Sequence, residues 1–338
     1  MRPRLLVLLV LMLAACDRLA DRQVERALLR VDRTILESPD LHVVLCGTGS
    51  PLPDPARASA CTAVVAGGSI YLVDVGPGSW KQVDLANLPT GAVGTVLLTH
   101  FHSDHIGDLG EATVQSWIGG RSRLLDVYGP PGTAQVVDGF HTAYAQDTAY
   151  RTAHHGEDVM PAGVAGATAH EIVLGDAFDA AARVLEREGL TITMFRVDHA
   201  PVAPAVGYRF DYRGRSVVVS GDTRRSESLI EHAKGADLLV HEALHPGLVA
   251  RAVAGAQRLQ LPRVAKLASD IPGYHTSPIE AAEVAEAAGV RHLVLTHLVP
   301  APSNAIARRL FLSGVGSTFG GEVTLGADGM RFDLATGG

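Results

Sequence analysis

Cysteine is scarce in this 338-residue chain, with three in all, which excludes a disulfide-rich scaffold. Aromatic residues are lean at 5%, and no internal repeat or low-complexity tract is present. Positive charge is also short: 29 Lys and Arg stand against 36 Asp and Glu, a formal net charge of -7. That balance argues against a large polyanion held mainly by non-specific electrostatics, although a local basic patch stays compatible with it. No apolar run is long enough to cross a bilayer, which takes about 20 residues. What remains is 47% hydrophobic and 19% charged, with Gly 36 and Pro 18, the composition of a globular protein with a full core and many turns.

The one long apolar stretch, Leu5 to Leu13, follows Arg2 and Arg4 and fits the apolar region of a secretory leader. It ends in Leu13-Ala14-Ala15-Cys16, which resembles a bacterial lipobox. Residues 1–16 are therefore expected to be a lipoprotein signal, with the mature protein exported and tied to the membrane by a lipid on Cys16. Asp17 resembles the inner-membrane retention signal, which places the expected site at the periplasmic face. Residues 17–40 carry Leu19, Val24, Leu28, Val31 and Ile35 at roughly helical spacing, as a linker or a short helix. Cys46 and Cys61 flank a turn-rich loop between two predicted strands. A hairpin would bring them together as a bridge, and two buried free thiols is the other reading.

From His42 the pattern is rich in strands, first as hairpins and then alternating with helices, in two successive halves. Two sheets face to face with helices outside satisfy that order, in one domain from 41 to 338. Residues 149–169 show no firm periodicity and read as a long loop or lid carrying His154 and His155.

The strongest signal is Thr99-His100-Phe101-His102-Ser103-Asp104-His105, directly after an apolar strand. Imidazole nitrogen and carboxylate oxygen at alternating positions of a loop are zinc-ligand chemistry. HxHxDH after a strand resembles the signature of the metallo-β-lactamase superfamily, whose fold is an αββα sandwich. His199 in Val-Asp-His-Ala-Pro, Asp222 in Ser-Gly-Asp-Thr and His297 in Leu-Thr-His-Leu match the family's further ligands, in order. The resemblance implies two zinc ions, one on His100, His102 and His199, the other on Asp104, His105 and His297, with Asp222 bridging. Manganese or iron would also suit this mixed set. It further implies a hydroxide shared by the two ions, oriented by Asp104.

Gly47-Thr48-Gly49-Ser50-Pro51, His241-Glu242-Ala243 and His275-Thr276-Ser277 resemble the tRNase Z and arylsulfatase branch. His241 is the expected proton donor to the leaving group, with Glu242 or His275 in support. Two departures weigh against tRNA processing. The loop Pro53-Asp-Pro-Ala-Arg57-Ala-Ser59 lacks the branch's lysine and asparagine, and only a short turn separates Tyr208 from Asp222, where a long basic arm is expected. Arg57 itself is a candidate partner for an anionic substrate.

The resulting expectation is a dizinc hydrolase of small anionic esters, phosphodiester or aryl sulfate, with no nucleic-acid partner. A tRNase Z-like endoribonuclease is the alternative enzyme, and a non-catalytic metal-binding lipoprotein is the alternative of another class. The sequence leaves the oligomeric state open, a homodimer included.

Overall fold

The computed structural model describes residues 19–26 and 29–336, so the expected leader and the expected lipid site Cys16 lie outside the described residues. Residues 19–26 are helical and exposed. No helix of the described residues is long and apolar enough to cross a membrane.

The first half supplies β1 (Leu41–Gly47), β2 (Cys61–Ala66), β3 (Ser69–Val73), β4 (Val93–Leu97), β5 (Leu125–Gly129) and β6 (Ala167–Glu171). Its helices are α1 (Ser79–Leu85), α2 (Ser103–Ile106), α3 (Leu109–Ile118) and α4 (Thr133–His155). The second half supplies β7 (Ala181–Arg187), β8 (Leu190–Arg196), β9 (Val206–Tyr212), β10 (Arg215–Val219), β11 (Leu238–Leu244), β12 (His292–Val299) and β13 (Glu322–Leu325). Between and beyond these strands run α5 (Glu227–His232), α6 (Pro246–Arg258), α7 (Pro262–Asp270), α8 (Pro278–Ala288), α9 (Ala305–Phe311) and α10 (Val315–Thr318). A last strand, β14 (Arg331–Leu334), returns to pair antiparallel with β1.

Both sheets have seven strands, ordered β14-β1-β2-β3-β4-β5-β6 and β13-β12-β11-β10-β9-β8-β7. Each half starts with antiparallel hairpins and finishes with parallel strands joined through helices. The period-2 alternation of a strand divides its side chains between two cores. Val43, Leu45, Val64, Tyr71 and Leu97 meet Ile192, Met194, Tyr208, Phe210 and Val240 between the sheets. Val44, Ala63, Ile70 and Leu72 pack outward under the helices of the first half. Leu239, Ala243, Leu293 and Leu295 do the same in the second. The αββα sandwich expected from the element order is the observed fold.

The expected lid at 149–169 is corrected. The helix α4 runs on to His155, a short 3-10 turn covers Ala162–Val164, and β6 begins at Ala167. Alanines, glutamine and threonine carry α4 without an apolar stripe, which is why periodicity missed its last turns.

Cys46 and Cys61 sit at the β1–β2 register shift, both buried, and are joined as a disulfide 15 residues apart. Closing a loop of that length removes denatured-state entropy worth about 3 kcal/mol. Thiol titration of denatured, unreduced protein should therefore detect neither Cys46 nor Cys61. The double variant Cys46→Ala, Cys61→Ala should lose about 3 kcal/mol in denaturant unfolding. Two titratable thiols in protein isolated without reductant would refute the bridge.

Candidate metal centre

The parallel strands β4, β10, β11 and β12 all end on one side of the sandwich, and their following loops converge there. β4 delivers Thr99 and His100, and α2 begins at once, so Asp104 and His105 turn inward from its first turn. The close approach needs Gly76, where an added Cβ would lie 2.0 Å from the carbonyl of Asp104. β10 delivers Asp222 through Gly221, whose φ of +60° favours glycine. On β12 the register against β11 slips, so that Glu242 pairs with Thr296 and Ala243 with Leu298. His297 is the extra residue of this bulge, held at φ +47° and aimed at the site.

The side chains meet around one carboxylate. Asp222 Oδ2 lies 3.3 Å from His105 Nε2 and 3.4 Å from His297 Nε2. It lies 3.9 Å from both His100 Nε2 and His199 Nε2. Asp104 Oδ2 is 3.2 Å from His297 Nε2 and 3.7 Å from His105 Nε2. His100, His102, His199 and Asp222 present ligand atoms within 4.8 Å of one another, as do Asp104, His105 and His297.

The donor set fits divalent metal. His105 Nε2, His199 Nε2 and Asp222 Oδ1 are buried without a hydrogen-bond partner, and ring nitrogens of His100 and His102 face each other at 2.9 Å. Buried polar atoms are normally satisfied, so unmatched lone pairs pointing at one another call for a cation between them.

A ring of hydrogen bonds fixes which nitrogen faces inward. His105 Nδ1 donates to Asp74 Oδ2 at 2.7 Å, which leaves Nε2 bare. Asp74 also accepts from Thr99 N at 2.8 Å and from Thr99 Oγ1 at 2.7 Å. With its hydrogen committed, Thr99 Oγ1 accepts from His100 Nδ1 at 3.0 Å. His199 Nδ1 donates to the Tyr274 carbonyl at 2.8 Å. Such partners orient imidazole ligands and raise their basicity. Burial and the neighbouring imidazoles hold His100 well below its ordinary pKa, as a neutral donor.

The proton-donor assignment is corrected. His241 is fully buried and shares the outward face of β11 with Leu239 and Ala243, under the helices. Its Nδ1 donates to the Glu242 carbonyl at 2.7 Å, and burial pushes its pKa down to about 4. It cannot reach the cluster. Glu242, one residue on, faces the opposite way. Its Oε1 accepts from Thr223 N at 3.0 Å and from His275 Nδ1 at 2.8 Å. His275 lies with Asp222 and His297 in a third group of donor atoms within 4.8 Å. Burial pulls the His275 pKa down, but the charge and hydrogen bond of Glu242 more than offset it and leave about 9.

Arg57 is corrected too. Its Nη1 is spent on Thr48 Oγ1 and on the Gly326 carbonyl, in a knot completed by Asp328. His154 and His155 end α4 in solvent, outside the cluster. Asp74 and Asp328 are the structural partners that sequence reading missed. Neither stands in a ligand-like spacing, and only the folded chain reveals what they hold.

An αββα sandwich with seven converging imidazoles and carboxylates at its strand ends is the framework of a metal-dependent hydrolase. A family model described as "Beta-lactamase superfamily domain" matches residues 70–298, and the chain belongs to the metallo-β-lactamase superfamily. It is 40% identical over 264 residues to a Ribonuclease Z of Mycobacterium bovis (strain BCG / Pasteur 1173P2), covering 77% of this chain and 87% of that protein. A Ribonuclease Z of Mycobacterium marinum (strain ATCC BAA-535 / M) is 38% identical over 297 residues, 87% of this chain and 99% of the relative. Human tRNase Z, short form, superposes with a TM-score of 0.63 at 22% identity, over 87% of this chain and 99% of that one. These relatives overturn the expectation that nucleic acid is not a partner: net charge describes the whole chain, whereas a polyanion is met by one face.

Two outcomes test the centre. Asp74→Asn keeps a side chain tolerant of the left-handed backbone (φ +58°) but removes the charge behind His105. Chelator-competition titration should show metal affinity lower by about tenfold or more; undiminished affinity would deny Asp74 this role. The second concerns His241. An unfolded chain protonates it near its ordinary value of about 6.5, the folded chain only at about 4. Stability is thus full above the unfolded value and falls as pH drops from there toward 4. His241→Gln, melted without metal beside the metal-free wild type, should show a flatter decline of Tm through that window. Equal slopes would mean His241 is not held neutral.

Proposed function

We propose that this chain is a metal-dependent phosphodiesterase that cleaves RNA, in the manner the names of its relatives indicate. The observation that carries the reading is the Glu242–His275 pair, hydrogen-bonded at 2.8 Å, with His275 grouped with Asp222 and His297 of the donor cluster. Cleaving an RNA diester expels a ribose alkoxide, a poor leaving group that needs a proton as its bond breaks. An aryl sulfate, the other ester expected from the sequence, expels a phenolate that scarcely needs one. A scaffold without catalysis has no use for such a donor.

His100, His102 and His199 would hold one metal, Asp104, His105 and His297 another, with Asp222 placed to touch both. Bound there, a divalent metal would supply Lewis acidity and a nucleophile at neutral pH. Asp74, Thr99 and the Tyr274 carbonyl keep the ligand nitrogens turned inward. Glu242 holds His275 Nδ1, so the ring presents its other nitrogen to the cluster, charged and ready to donate. Thr223 N fixes Glu242 in turn, through the loop that carries Asp222.

A leaving-group series checks the assignment. His275→Ala and Glu242→Gln should lower turnover of ribonucleotide or alkyl diesters by roughly 10²-fold. Their loss on bis-p-nitrophenyl phosphate should be far smaller, giving a steeper dependence of log rate on leaving-group pKa. Parallel losses across the series would show that the pair holds structure instead.

A further inference from the structure

The two members of the acid pair are 33 residues apart in sequence, and the chain between them forms a helical hairpin. β11 ends two residues after Glu242, α6 and α7 run out and back against each other, and a short turn leads to His275. After the ligand His297 the chain enters α9. The two elements adjoin: His245, which caps α6, contacts the Leu310 carbonyl at 3.1 Å and stands 5.7 Å from the Phe311 ring.

This region inverts the charge of the molecule. Residues 246–274 hold Arg251, Arg258, Arg263 and Lys266 against one acid, Asp270, and residues 300–321 hold Arg308 and Arg309 with no acid. Lys266 pairs with Asp270 on its own helix. All five arginines are exposed, and among the described residues none has a carboxylate at ion-pair distance. Several exposed arginines elsewhere are matched, as Arg225 with Glu227, Arg123 with Asp126 and Arg331 with Asp333, whereas Arg33, Arg187 and Arg213 stand singly in other parts of the chain. Arg251 and Arg258 are seven apart, two turns along one face of α6. α9 begins eight residues after His297, one of the cluster's donor positions.

We infer that the α6–α7 hairpin and α9 together form a basic landing surface for the phosphate backbone of RNA, next to the scissile site. The inference rests on the ribonuclease reading and adds to it the surface that grips the substrate away from the metals. Unpaired guanidiniums on an acidic protein are the charge complement of a polyanion, and each phosphate neutralised releases counterions. Because the hairpin is rooted at Glu242 and His275, a strand held there has its backbone beside the proton donor. It takes the part of the basic arm that the short β9–β10 turn lacks. The hairpin also exposes Leu259, Leu261, Val264 and Leu267. An anionic membrane or a second copy of the chain is therefore the competing occupant.

The test uses full-length, metal-loaded protein, a stem-loop RNA with a single-stranded 3′ extension, and bis-p-nitrophenyl phosphate as a diester too small to reach the hairpin. Combined Arg251→Glu, Arg258→Glu and Arg263→Glu should raise KM on the RNA by about tenfold or more, well beyond any change on the small diester. The slope of log binding constant against log salt should become shallower by about 2. Arg308→Glu with Arg309→Glu should act in the same sense, and lysine at all five positions should restore most binding. Equal losses on both substrates, or an unchanged KM on the RNA, would overturn the inference. So would a triple variant that loses only phosphatidylglycerol vesicles, or one whose RNA defect tracks dissociation of a dimer by light scattering. A wild type that turns over the small diester yet leaves RNA intact would refute the ribonuclease reading itself, and this surface with it.

Discussion

A buried carboxylate surrounded by imidazoles is the constraint around which this protein is arranged. Asp222 Oδ2 has four ring nitrogens within 3.9 Å, two on the β4–α2 segment of the first sheet and two from the second, on the loop after β8 and in the bulge of β12. Such lone pairs repel one another in a low-dielectric interior unless cations lie between them. The two sheets must therefore be held in fixed relation, and the packed layer of Tyr71, Leu97, Tyr208 and Phe210 does that. Backbone geometry absorbs the rest of the demand. His297 and Asp74 both take left-handed conformations at the point where side chains have to turn toward the centre.

The same economy runs outward from the ligands. Asp74 sets His105, and through Thr99 it sets His100, so one carboxylate governs two imidazoles. Glu242 is anchored by the Thr223 amide, next to Asp222, and holds His275 beside the candidate ligands Asp222 and His297. The proposed acid and the candidate ligands thus share supports, and a shift in the β10 loop would move both. The α6–α7 hairpin leaves the fold between Glu242 and His275, so an RNA strand held on it, as proposed, would lie beside the proposed acid pair.

Whole-chain charge proved a poor guide to partners. A net of -7 is a sum, and it hides five arginines gathered on two neighbouring elements with no carboxylate at ion-pair distance among the described residues. Electrostatic recognition acts over about a Debye length, roughly 10 Å, and is decided by patches of that size.

Much of this was legible in one dimension. His100, His102, Asp104 and His105 are close in sequence because one short strand-to-helix segment aims all four at a common point, so their chemistry shows as spacing. The order of hairpins followed by helix-linked strands, repeated twice, likewise carried the layered fold. The acid pair was not legible in the same way. β11 reads Leu-Leu-Val-His-Glu-Ala-Leu and is buried on both faces, so no polar alternation tells which of His241 and Glu242 looks toward the site. Only the pairing of β11 between β10 and β12 decides that parity, and it turns Glu242 inward and His241 under the helices. Asp74, His275 and the basic hairpin depend in the same way on partners distant in sequence. Contacts made along the chain leave a pattern in it, and contacts made across the fold exist only once the sheets have met.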